Sequence, residues 1–103
     1  MIRLIKSEVT PEYLQELKDR LHILHNHDDD NLTNTIRMGH VRIQGYCGDF
    51  PLENEFGRDL VFEYCRFVYN NQTEWFYQSF RPELITLQLE LLEIEDDEVV
   101  TDG

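Results

Sequence analysis

Residues 57–89 read GRDLVFEYCRFVYNNQTEWFYQSFRPELITLQL, and their apolar spacing decides the fold class. Val61, Tyr64, Cys65, Val68, Trp75 and Phe76 recur at steps of three, four and seven, which is one stripe of a helix running to about residue 79. Phe62, Phe67, Tyr69, Tyr77 and Phe80 fall off that stripe, so the same helix carries a second aromatic face. Either this helix lies in the middle of its own domain, or one face is covered by another subunit. A small domain has one core, which favours self-association.

Working outward, the flanking segments predict more helices. Thr10-Pro11-Glu12 is a helix start: a hydroxyl N-cap, a proline suited to the first turn, and an acid at the positive end. Leu14, Leu17, Leu21 and Leu24 continue it to about residue 24. The run His25-Asn26-His27-Asp28-Asp29-Asp30 breaks that stripe and forms a turn, with Asp28 or Asp29 capping a second helix. Leu32, Ile36, Ile43, Tyr46 and Cys47 mark its apolar side, and Gly48 ends it. Gly39 inside this helix costs about 1 kcal/mol against alanine, which points to close packing there. A loop with Pro51 follows and carries Asp49, Glu53 and Glu55, and the third helix starts near residue 57 or 58. Pro82 interrupts it. In residues 84–92 two periods compete: Ile85, Leu87, Leu89 and Leu91 alternate like a strand, whereas Leu84, Leu87 and Leu91 fit a helix. Residues 1–9 form a short arm or strand. The fold class is therefore mainly α: a small bundle of three to four helices, with a possible short strand or arm at the termini.

The chain has 103 residues, one domain's worth, able to bury roughly 65% of its unfolded surface. There is no apolar run of about 18 residues to span a membrane, and the start MIRLIKSEV lacks the apolar stretch of a secretory signal. The net charge of −12 is uneven, since seven acids and no base occupy residues 90–103. Residues 1–92 thus read as one domain with its arm, and 93–103 as an acidic, solvated tail. An acidic chain does not grip phosphates, although DNA can slide past a surface without adhesive cations.

The chemistry on offer is thin. His22, His25, His27 and the adjoining aspartates invite a metal reading, but no cysteine is near in sequence, and the aspartates lack the spacing and glycine of a calcium loop. A capping turn explains the same residues. Cys47 and Cys65 lie on apolar stripes and read as reduced core thiols, with no motif placing a base beside either. No phosphate-binding loop or nucleophile elbow occurs. The expectation is no enzyme, no metal and no cofactor. Arg58, Arg66 and Arg81 are expected to pair with local carboxylates, Arg66 with Glu63 at i−3, rather than across subunits.

Two segments together carry a family likeness. His27-Asp28-Asp29-Asp30-Asn31-Leu32 leads through Ile36 and Ile43 to Tyr46-Cys47-Gly48; Val68-Tyr69-Asn70-Asn71 is followed by Glu74, Phe76, Phe80, Glu83, Ile85 and Leu87-Gln88-Leu89. Over roughly residues 12 to 92 the chain resembles the head–tail connector proteins of long-tailed bacteriophages, the small adaptor or head-completion family beneath the portal. The resemblance implies an all-helical virion protein without an active site, found in the host cytoplasm during assembly. Such a protein joins a ring of roughly twelve copies under the portal protein and presents a surface to a downstream connector or tail-completion protein. DNA passes through the ring without specific binding, and no membrane is involved. On this expectation Phe62, Phe67, Tyr69 and Tyr77 make lateral subunit contacts, and Asp49, Glu53 and Glu55 face the channel. The alternative is an acidic DNA mimic that inhibits a host nucleic-acid enzyme. A small metal-dependent enzyme built on the histidines is the third reading.

Overall fold

The computed structural model describes residues 6–102 along the backbone and side chains through residue 92. Five helices follow one another: α1 (Pro11–Leu21), α2 (Asp29–Cys47), α3 (Glu55–Tyr69), α4 (Thr73–Ser79) and α5 (Arg81–Asp102). Among the described residues there is no strand, so the mainly helical bundle expected from the sequence is what forms. Residues 1–5 of the N-terminal arm lie outside the described residues. So do the side chains of the acidic segment 93–103, although the α5 backbone runs through it to Asp102.

Each boundary has a local cause. Thr10 caps α1, its hydroxyl accepting from the Tyr13 amide at 3.1 Å. The helix stops at Leu21 because His22 turns into the left-handed region (φ 60°), which leaves Leu24 97% exposed instead of on the internal stripe. Asp28 is the N-cap residue of α2 but makes no side-chain capping bond. Gly48, with φ 119°, ends α2 in a conformation that a side chain rarely adopts. The third helix starts two residues earlier than the expected 57, because Asn54 accepts from the Gly57 amide at 3.0 Å.

The largest departure from the sequence reading lies at residues 70–72. The single helix expected to about residue 79 is two helices: Asn71 takes φ 57°, and Gln72 donates back to the Phe67 carbonyl at 2.8 Å. The chain reverses, and α4 packs back on α3. Pro82 then sits in the first turn of α5, where its missing N–H is no loss. Residues 84–92 are helical, and Leu84 and Leu87 are fully buried in that register.

The core is built from α2 laid against α3, with α1, α4 and α5 packed around the pair. Leu17, Ile36, Ile43, Phe50, Leu60, Val61, Phe62 and Phe76 are fully enclosed. Gly39 permits the close α2–α3 approach: a Cβ there would lie 3.2 Å from the Tyr64 ring. Cys47 and Cys65 are free, buried thiols, as expected. The Cys47 Sγ–H donates to the Leu84 carbonyl at 3.3 Å, tying α2 to α5.

Candidate functional site

The residues expected to bind a neighbouring subunit are mostly consumed by the protein's own core. Phe62 is fully buried and lies beneath the Arg20 guanidinium, 5.4 Å from the ring centroid, so it makes no lateral contact. Phe67 and Tyr77 are half-buried. Phe67 meets Phe76 and Phe80 edge-on at 5.7 and 5.8 Å, and Tyr77 stacks on Tyr46 at 5.4 Å. Phe76 is the hub of this cluster, in contact also with Tyr64 at 5.1 Å. The reversal at Asn71 builds the Phe76 cluster, since α4 delivers its rings onto Tyr64 and Phe67 of α3. Of the four candidates Tyr69, 49% exposed, keeps the most free surface. Trp75 was expected on the internal stripe and is instead 55% exposed.

The loop that carries Asp49 and Glu53 is fastened to the body. Phe50 is fully buried, and both of its backbone polar groups are held by α2 side chains one turn apart. His40 Nε2 donates to the Phe50 carbonyl at 2.7 Å, and Gln44 Oε1 accepts from the Phe50 amide at 3.1 Å. The His40 Nε2 bond to a carbonyl fixes the tautomer, so Nδ1 accepts from the Ser7 hydroxyl, 2.6 Å away. Burial lowers the His40 pKa below the usual imidazole value, only partly opposed by the Phe50 carbonyl and the Glu53 charge. Glu53 and Glu55 point to solvent while Asp49 is half-buried; Glu55 is the first residue of α3 rather than part of the loop.

The aspartate-rich turn has a structural occupant that sequence spacing did not reveal. Lys18, almost fully buried, reaches Asp29 at 2.8 Å and the Asn26 side chain at 2.6 Å, locking α1 to the start of α2. His25 and His27 lie beside this turn with exposed rings 5.0 Å apart. Among the described residues no group of three or more His, Cys, Asp or Glu is arranged to hold a metal ion.

Arginines fasten α1 to α3. Arg20 bridges Asp59 and Glu63 at 2.8 Å each, and Arg58 reaches Glu16 at 3.1 Å. Arg66 pairs with Glu63, as its spacing predicts. Arg81 does not follow expectation: among the described residues it, Arg37 and Arg42 make no ion pair.

One cleft of about 220 Å³ opens between the start of α2 and the end of α3, lined by Asp28, Leu32, Thr35, Cys65, Val68 and Tyr69 among others. It is smaller than the few hundred Å³ of an ordinary small-molecule site. Burial pushes the Cys65 thiol up to about 12, so at neutral pH the sulfur is a protonated packing group.

The bare surface lies elsewhere. Met38 and Val41 stand out from α2, and Ile85, Leu89 and Leu92 form an i, i+4, i+7 stripe on α5, all at least 40% exposed. Leu84, Leu87 and Leu91 occupy the inner side of α5, so that helix is apolar on two sides and covered on one. The competing periods in residues 84–92 were the sequence signal for this: both sets of leucines are real faces of one helix. Among the described residues no helix is long and apolar enough to cross a membrane. Comparison with protein-family models, curated proteins and solved structures finds no match to this chain.

Proposed function

We propose that this chain is a structural assembly protein, a head–tail connector of a tailed bacteriophage that forms a ring under the portal, extends the DNA channel and links capsid to tail. The observation that carries the reading is the uncovered stripe Ile85, Leu89 and Leu92 on a helix whose opposite side is already in the core. A chain of this size without a roomy cleft has little use for such a stripe except contact with another protein. The resemblance in the aspartate turn and the Tyr-Asn-Asn to Leu-Gln-Leu segment supplies the biological setting. The acidic excess fits a collar through which DNA slides without adhering. On this reading the partners are the portal above, a tail-completion protein below, and further copies on either side.

The test is reconstitution with the portal of the same phage. A ring-shaped complex seen by electron microscopy, and co-sedimentation with portal, are the expected results. No co-sedimentation at any concentration, together with fully joined particles from a phage lacking the gene, overturns the proposal. A DNA mimic is separated from it by removing residues 93–103, which hold most of the local acid excess. A mimic loses its target, while a connector keeps the portal.

A further inference from the structure

The outer face of α2 is anomalous for this protein in three independent ways. The first is charge. In a chain with 21 acids, residues 31–48 contain none, and this is the longest acid-free run in the sequence. The second is pairing. Arg20, Arg58 and Arg66 all sit on carboxylates, yet Arg37 and Arg42 flank this face and make no ion pair among the described residues; Arg37 bonds only the Asn34 side chain, at 3.2 Å. The third is Gly45. It is exposed in the last turn of α2, and a Cβ built on it meets nothing within 4 Å. The fold therefore has no need of a glycine there, while a helical glycine costs up to about 1 kcal/mol against alanine. Met38, Val41 and Gly45 share one side of the helix at i, i+3 and i+7, and Met38 and Val41 are bare. The result is a shallow apolar track with a smooth spot at Gly45, edged by two arginines that make no ion pair among the described residues.

The complement of that track is on the same chain. The exposed stripe of α5, Ile85, Leu89 and Leu92, spans the same seven residues at i, i+4 and i+7, and Glu93 and Asp96 follow four residues after Leu89 and Leu92 in the sequence. Both surfaces face solvent, so one copy does not satisfy them. We infer that the α2 outer face of one copy receives the α5 outer stripe of the next, with the leucines over Met38, Val41 and Gly45, so that the acid-free, basic α2 segment meets the helix that continues into the acid-rich sequence 93–103. The helix axes approach closely because Gly45 has no side chain. Two different patches make this contact head-to-tail, and head-to-tail contacts close into rings or run on as filaments. The inference rests on the self-associating reading above and names its lateral interface. One helix laid on another buries less than a standard interface of about 1,200 Å² or more, so affinity in free solution is weak, on the order of 0.1–1 mM.

The test uses the full-length chain without portal, so a failed portal reconstitution and a failed lateral contact are read separately. Sedimentation equilibrium up to roughly 1 mM should show wild-type mass rising above monomer. Gly45→Ala should raise the melting temperature and yet weaken association, a pairing of effects that a purely structural glycine does not give. Arg42→Glu should weaken it about tenfold by setting acid against acid. The deciding experiment mixes two variants of unchanged helicity, one blocked on α2 (Gly45→Gln with Arg42→Glu) and one blocked on α5 (Leu89→Glu). Each alone should be monomeric, and the mixture should form a one-to-one dimer that grows no further. Wild type that stays monomeric at the highest concentration overturns the inference. So do blocked variants that associate like wild type, or a mixture that remains monomeric.

Discussion

Gly57 and Gly45 put the same substitution in opposite surroundings, and the structure assigns the sign of each. A Cβ on Gly57 would lie 2.5 Å from two atoms of the Phe50 ring and 3.2 Å from a third. Carbon atoms pack comfortably at about 3.5–4.0 Å, so the ring must retreat by about 1 Å. It has little freedom to do so, because His40 and Gln44 hold the Phe50 backbone at both its amide and its carbonyl. Gly57 has an ordinary helical backbone, so the whole penalty is steric rather than conformational. Overpacking of this kind costs about 1–3 kcal/mol, and alanine's advantage in a helix returns less than about 1 kcal/mol of it. At about 4–8 °C per kcal/mol for a domain near 100 residues, Gly57→Ala should melt several degrees to about 20 °C below wild type. Gly45→Ala should melt at or above it. Urea denaturation gives the free energies, and Phe50→Leu made in both backgrounds gives the coupling, expected at about 0.5–3 kcal/mol in the relieving direction. A Gly57→Ala protein as stable as wild type, or one that loses the same amount with Leu at position 50, refutes the clamp.

Three further outcomes follow from the buried polar groups and thiols. The His40 pKa is lowered by folding, so the unfolded chain binds the proton more readily. The contribution of His40 to stability is therefore full above about pH 6.5 and is lost as pH falls through that value toward the depressed folded one. Urea midpoints between pH 7.5 and 5 should drop more for wild type than for His40→Gln, and equal slopes would show that the imidazole is not held neutral. Asp29→Ala leaves the Lys18 ammonium buried with only the Asn26 oxygen, and should cost about 2–3 kcal/mol, while Lys18→Met should cost less; the same urea titrations measure both. Burial pushes Cys47 up to about 11 and Cys65 up to about 12, so neither thiol should react with a neutral aromatic disulfide reagent at pH 8 until denaturant is added, which an absorbance time course reads directly.

Much of the scaffold was legible because it rests on local chemistry. Thr10 capping α1, Gly48 closing α2, Gly39 admitting α3, the Glu63–Arg66 pair and the core placement of both cysteines all follow from neighbours in sequence. The break at Asn71 was misread because the apolar period continues across it: Val68, Trp75 and Phe76 keep step as though one helix ran through. The Asn70-Asn71 pair was the available signal, since asparagine tolerates the left-handed region better than other side chains with a Cβ. Lys18, His40 and Gln44 were invisible for a different reason. Each is a polar side chain whose burial depends on partners 6 to 33 residues away, and no periodicity encodes a partner. Of the subunit-contact candidates, Phe62 is taken into the core beneath Arg20 and Phe67 is partly covered by α4, while Tyr69 stays exposed; aliphatic faces on α2 and α5 are also left bare.

An aliphatic stripe supports a different kind of assembly from an aromatic one. Buried rings such as Trp and Tyr anchor tight interfaces, whereas leucine is under-represented among binding hot spots. A stripe of Ile85, Leu89 and Leu92 against Met38 and Val41 offers area without a deep anchor, so a lateral contact made this way is weak in isolation. For a head-to-tail contact weakness is an advantage. Tight pairing would polymerise the free chain into open filaments before any template appeared. A contact near 0.1–1 mM does little at micromolar concentration, yet on the proposed connector reading copies held side by side on a portal would experience effective concentrations in the millimolar range. Ring closure then adds a final contact at no further cost in translational freedom. On this argument Gly45, Arg37 and Arg42 set the strength of the contact as much as they permit it. Replacing Met38 or Val41 with a large aromatic residue should produce filaments without portal, not better rings.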